Sequence, residues 1–131
     1  MLFRSLRIPI FAVATLRDHV APWRSVHKIH LLADTDVTFL LTSGGHNAGI
    51  VSEPGHPRRS YQIATLREAD TYVDPDSWQQ RAPQCEGSWW PEWQAWLAER
   101  SGEKGKPPAM GAAEEGYPLL MDAPGSYVLQ S

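Results

Sequence analysis

A chain of 131 residues with a formal net charge of −3 and a pI of about 5.9 has room for one domain and carries no basic footprint for nucleic acid. Its single cysteine, Cys85, excludes an internal disulfide framework and fits a reducing compartment. No apolar run approaches the ~18 residues of a membrane span, and the start, with Arg4 and Arg7 before Ile8 to Leu16, only loosely imitates a secretory signal, because Pro9 interrupts it and Asp18 and His19 follow at once.

The first predicted element is a strand over 8–14. Its apolar run is continuous rather than alternating, which suits burial on both faces, and Pro9 is tolerable near a strand start. Residues 15–21 read as loop. Pro22 then opens a helix that runs to about Ala33, with Val26, Ile29 and Ala33 on one face and Trp23 and His30 nearby. A second strand spans 37–42, and Ser43-Gly44-Gly45 turns sharply after it. A right-handed crossover makes the two strands parallel and brings both following loops to one sheet edge. The first of those loops carries Asp18 and the second carries His46.

Residues 51–59 are loop, and 60–65 a short extended piece. Asp74-Pro75-Asp76 starts a helix before Ser77 to Arg81. Ser88 is the expected N-cap of a helix from Trp89 to Arg100, with Gly102 stopping it. Trp89, Trp93 and Trp96 recur at i, i+4, i+7, and Leu97 extends the stripe. Such a stripe reads first as core packing and second as a surface for a hydrophobic polymer or partner. From Lys104 onward, prolines and glycines leave no long element.

An acid followed by a histidine on one sheet edge suits two members of a nucleophile–His–acid triad. In α/β-hydrolases the order is nucleophile, acid, histidine; here the second and third are present and the first is missing. His46 would move protons, and Asp18 would fix its tautomer. The plainer readings are a loop histidine capping backbone and an aspartate that starts the next helix. His19 reads as a loop residue. His27 and His30 stand i, i+3 with no further metal ligand spaced for them. Cys85 follows the histidine and lacks a nucleophile elbow in Gln84-Cys85-Glu86-Gly87, so an inert role is expected.

Four strings carry a family resemblance: Arg17-Asp18-His19-Val20-Ala21-Pro22-Trp23, Thr42-Ser43-Gly44-Gly45-His46-Asn47-Ala48-Gly49, Gly87-Ser88-Trp89-Trp90-Pro91-Glu92-Trp93 and Ala123-Pro124-Gly125-Ser126-Tyr127-Val128. In this order they resemble the C-terminal part of polyhydroxyalkanoate synthases, most like the class I enzymes. The resemblance implies part of an α/β-hydrolase-type catalytic domain over 1–102 and a Pro/Gly-rich tail over 103–131. The expected fragment has two parallel strands with a crossover helix, then helices and a loop-rich tail. It implies polymerisation of (R)-3-hydroxyacyl-CoA into polyester with release of CoA, in the cytoplasm or at the granule surface. Asp18 and His46 are the implied acid and base, and no cofactor or metal is implied beyond the acyl-CoA substrate.

The implied partners are hydroxyacyl-CoA, the polyester granule, and an N-terminal synthase portion or a second copy. Arg58 and Arg59 are solvated loop residues on one reading and meet the CoA phosphates on another. The family's nucleophilic cysteine lies in an upstream Gly-x-Cys-x-Gly elbow that these 131 residues do not contain. The chain alone is therefore expected to be inactive, and a two-stranded sheet is expected to be marginal or to self-associate. The alternative is a non-enzymatic piece that binds granules or a synthase through its tryptophan helix. An esterase or lipase fragment is a third reading, against which the Gly-Ser-Trp-Trp-Pro and Ala-Pro-Gly-Ser-Tyr strings speak.

Overall fold

The computed structural model describes residues 6–130. Its strands β1 (Ile10–Thr15) and β2 (Val37–Thr42) pair in parallel, Ile10 opposite Val37 and Thr15 opposite Thr42. Both carboxyl ends therefore lie at one edge, as the crossover pattern predicts. The expectation of only two strands is corrected. Strands β3 (Ser60–Leu66) and β4 (Gln84–Glu86) add antiparallel, giving one mixed sheet in the order β1-β2-β3-β4. The sequence Ser60-Tyr61-Gln62-Ile63-Ala64 alternates as a strand should, but its small and polar members mute the signal. Three polar-flanked residues of β4 show no periodicity at all. With partners on both sides, β2 is buried along its whole length. The ribbon on which an expectation of marginal stability rested is thus not the observed sheet.

Alternation along the strands divides the core between two faces. Ala14, Phe39 and Leu41 pack with Trp23 of α1 (Trp23–Val26), Trp78 of α3 (Pro75–Arg81) and Ala82. Leu40, Tyr61, Phe11, Val13 and Ile63 pack with Trp89 and with Trp90 of α4 (Trp90–Ala98). The result is helix, sheet, helix in three layers.

The single crossover helix expected over Pro22 to Ala33 is two short pieces, α1 and α2 (Ile29–Leu32). Between them the amides of Lys28, His30 and Leu31 bond the third preceding carbonyl, at 3.3, 3.2 and 2.9 Å, which tightens the turn. Val26 packs against the core as the helical face predicts, and Ile29 and Ala33 are half-buried. Trp23, His27 and His30 face the sheet, while Leu31 and Leu32 are exposed. His27 is fully buried, with ring centroids 4.9 Å from Phe39 and 4.6 Å from His30. A flat ring fits this aromatic slot, where Phe39 and Trp78 meet edge-to-face at 5.0 Å.

Asp74 caps α3, accepting from the amides of Asp76 and Ser77 at 3.1 and 3.0 Å, with Pro75 in the first turn. On the opposite face, Ser88 accepts from the Trp90 amide at 3.1 Å and so starts α4 one residue later than expected. Trp96 meets Phe11 edge-to-face at 5.6 Å. Trp89 is buried, Trp96 half-buried and Trp93 44% exposed, so α4 finds packing partners within its own unit. Contacts divide the chain into two units, Met1–Ser101 and Gly102–Ser131. The second holds 3-10 turns at Ala113–Glu115 and Ser126–Leu129 and a bridge between Ala112 and Tyr117. Among the described residues no helix is long and apolar enough to cross a membrane.

Candidate active site

Pairing continues past the ends of β1 and β2. The Leu16 amide bonds the Thr42 carbonyl and the Arg17 amide bonds the Gly44 carbonyl, each at 2.9 Å. This draws the Asp18 loop against the His46 loop. Asp18 Oδ1 accepts from the amides of Val20 and Ala21 at 2.8 and 2.9 Å. That is the turn-forming role open to any aspartate before a helix. Its Oδ2 lies 2.8 Å from His46 Nδ1 and accepts from the Thr15 hydroxyl at 3.3 Å. Both readings of Asp18 therefore hold at once, one on each oxygen.

The Asp18 side chain is 7% exposed and that of His46 48%. The Ala21 amide and then His46 hold the Asp18 carboxyl far below the usual carboxylate range, against the opposing pull of burial. A carboxylate cannot donate, so Nδ1 of neutral His46 carries the hydrogen. Nε2 is left with a lone pair and has no hydrogen bond among the described residues. An imidazole held this way can take a proton from an approaching hydroxyl or thiol and return it to a leaving group.

The loop that carries His46 is held by close approach. Gly44 has φ of +109°, and a Cβ there would lie 2.9 Å from the Gly49 backbone and 3.1 Å from Arg59 Nη1. A Cβ on Gly49 would lie 2.5 Å from Thr15 Cγ2. Glycine is required at both positions. Arg59 thus lies beside this turn. Arg58 is exposed, with a left-handed φ of 57°.

Side chains that the sequence reading assigned to helix packing also meet this loop. The Trp89 indole N–H donates to the Gly49 carbonyl at 3.1 Å, and that of Trp90 to the Ile50 carbonyl at 2.9 Å. The Ser88 hydroxyl donates to the Ser52 carbonyl. Thr15 was likewise missed. The available signal was that the Ser43–Gly49 and Gly87–Trp93 strings occur together.

The remaining candidates lie elsewhere. His27 and His30 sit in the aromatic layer, and no group of three or more metal-ligating side chains occurs among the described residues. Cys85 faces Tyr61 across β4 and β3 and packs on the α4 side, and Tyr61 donates to Glu92 at 2.9 Å. His19 is exposed. At the dyad end of the sheet, Leu16, Ser43, Ser60, Gln62, Gln79 and Gln84 are among the residues lining a recess of about 90 Å³. Ligand pockets usually hold ~300–1,000 Å³.

No protein-family profile matches the chain. It is 37% identical over 126 residues to poly(3-hydroxyalkanoate) polymerase 2 of Ectopseudomonas oleovorans, an alignment covering 96% of this chain and 22% of that protein. It is 37% identical over 127 residues to the poly(3-hydroxyalkanoate) polymerase subunit PhaC of Rhizobium etli, covering 97% of this chain and 19% of the relative. The corresponding subunit of Cupriavidus necator is 34% identical over 126 residues, with 95% and 20% covered. The chain spans about a fifth of the length of these relatives. The resemblance carried by the four strings holds across nearly all of the sequence, and the chain is a homologue, over that fifth, of the poly(3-hydroxyalkanoate) polymerases.

Proposed function

We propose that this chain is the C-terminal portion of a polyhydroxyalkanoate synthase of α/β-hydrolase type and supplies the acid–base half of its catalytic machinery. Residues 1–102 form that part of the catalytic domain, and 103–131 its tail. The observation that carries the reading is the Asp18–His46 pair at the carboxyl edge of two parallel strands, with Nε2 open. The recess at that end of the sheet, lined by neither Asp18 nor His46, is too small for an acyl-CoA, which fits a site completed by further polypeptide.

The chemistry follows from that geometry. A cysteine thiol on the completing segment, as the family resemblance implies, gives its proton to His46 Nε2. The thiolate attacks the thioester carbonyl of a hydroxyacyl-CoA. The carbon–sulfur bond to CoA breaks, and the departing thiolate takes the proton back from His46. Exchange of one thioester for another is nearly isoenergetic, so this covalent step costs little. The 3-hydroxyl of a second acyl group then gives His46 its proton and attacks the enzyme thioester. An ester forms, and the cysteine thiol is restored. Asp18 stays ionised throughout and stabilises the imidazolium.

The test is CoA release from hydroxybutyryl-CoA, with the 131 residues alone and again with a separately expressed segment that carries the Gly-x-Cys-x-Gly elbow. Release only with both pieces, lost on His46→Ala, is expected. Release by the chain alone, abolished by Cys85→Ala, would overturn the reading. Trp93 and Leu97, 44% and 40% exposed on α4, favour a second reading as a granule- or synthase-binding piece. That reading predicts adsorption to polyester without complementation.

A further inference from the structure

We propose that Ser88, Trp89 and Trp90 are positioning residues for His46, an inference that rests on the acid–base reading of His46 above. Three consecutive side chains donate to three carbonyls in the segment just after the histidine, those of Ser52, Gly49 and Ile50. These donors come from the start of α4. An indole N–H can only donate, and its ring has two side-chain torsions, so it holds an acceptor with little entropy to lose. Trp89 is 5% exposed, which shields its bond from water.

Gly49 has further close contacts. Its Cα abuts Thr15, and its amide donates to the Gly45 carbonyl at 2.9 Å. Gly45 and Gly49 bracket His46. The ring itself is half-exposed and its one hydrogen bond among the described residues goes to Asp18. The ring's placement therefore rests on that bond and on the loop backbone, and the tryptophans hold the loop three and four residues after the histidine. This assigns Trp89 and Trp90 a duty beyond burying a stripe.

The test uses the chain itself and nitrogen–proton NMR of its histidines. In the wild type His46 should show the Nδ1–H tautomer and a slowly exchanging Nδ1–H. Trp89→Phe and Trp90→Phe keep an aromatic ring and delete the donor. Each should speed exchange of that proton, and of the Gly49 and Ile50 amides, about tenfold, the equivalent of one net hydrogen bond. Trp78→Phe removes an indole from the other face and should leave these rates within about twofold at a matched loss of stability. Trp90→Phe, at a half-buried site, serves if Trp89→Phe does not fold.

Unchanged exchange in both α4 variants, or an equal change in Trp78→Phe, would overturn the positioning role. A wild type without the Nδ1–H tautomer would sink the acid–base reading instead. In that event the amide exchange of Gly49 and Ile50 still decides whether the tryptophans hold the loop.

Discussion

The sheet edge that carries His46 and the aromatic face that carries His27 and His30 put one side chain type in opposite surroundings. At the edge the ring is half-exposed, hydrogen-bonded through one nitrogen and open at the other. On the aromatic face all four ring nitrogens are buried without a hydrogen-bond partner among the described residues. Burial holds His27 below the usual histidine range, though Asp74 opposes it. Burial, and then the neighbouring His27, bring His30 to about 4. These two rings act as neutral, flat packing units. The difference teaches that what a histidine can do chemically follows from polar partners and access rather than from residue type.

The strongest way to break the comparison is to remove one histidine from each region. In a preparation complemented with the elbow-bearing segment, His46→Ala should lower CoA release about a thousandfold or more. His27→Leu should change stability and leave the rate of the folded fraction within a few-fold. Loss of turnover from both would mean that the aromatic face belongs to the catalytic machinery.

Phe39 tests what holds that face together. It is fully buried and meets His27 and Trp78 edge-to-face, at 4.9 and 5.0 Å. Phe39→Ala should cost about 3–5 kcal/mol in urea unfolding, the usual range for a large ring lost from a packed core. A cost under about 1 kcal/mol would show that the layer is loosely packed.

Acid sharpens the same contrast. The folded-state pKa of His30 lies at about 4, below its ordinary value of 6.5. Above 6.5 both folded and unfolded chains hold this ring neutral, and stability is complete. As pH falls from 6.5 towards 4 the unfolded chain binds the proton first, so stability is lost across that window. The loss from His30 is on the order of 3 kcal/mol, and His27 adds in the same direction. Asp18 behaves differently. Its folded pKa is also depressed, but from 3.8, so its stabilising effect is present above that value and fades only in stronger acid. Urea midpoints at pH 7 and 4.5, with and without His30→Leu, measure the histidine part. A wild-type profile that is flat between those values would contradict burial of the uncharged rings.

Much of the edge was legible in the sequence because its signals are local. Each strand announces itself by a short, largely apolar run, and a crossover between them fixes which ends coincide. The adjacency of Asp18 and His46 follows from that alone. On the aromatic face the sequence shows Val26, Ile29 and Ala33 with Trp23 and His30 nearby, and what it hides is His27, a fully buried ring. Hydropathy ranks histidine as polar, whereas a neutral ring in an aromatic slot packs as a hydrophobe. Strand β3 was visible only as a short extended piece, and β4 not at all. The donors from Trp89 and Trp90 to Gly49 and Ile50 cross 40 residues of sequence. Periodicity reports which face of a helix is apolar and says nothing of which carbonyl an indole N–H will meet.

The smallest expected effect concerns Thr15, where the edge is held most locally. Its hydroxyl is the longest of four donors to Asp18, at 3.3 Å against 2.8, 2.8 and 2.9 Å for His46, Val20 and Ala21. Its methyl abuts Gly49. Thr15→Val keeps the branched shape and deletes only the hydroxyl, so the carboxylate retains its three shorter bonds. Stability should fall by about 1 kcal/mol or less, and the Nδ1–H tautomer of His46 should persist. Thr15→Ser makes the complementary change, keeping the donor while opening space beside Gly49, and should loosen the loop amides more than it affects Asp18. Urea unfolding and histidine NMR of the two variants separate these roles. A cost for Thr15→Val as large as that of Phe39→Ala would mean that the edge depends on one buried hydroxyl rather than on several converging donors, and the contrast with the aromatic face would fail.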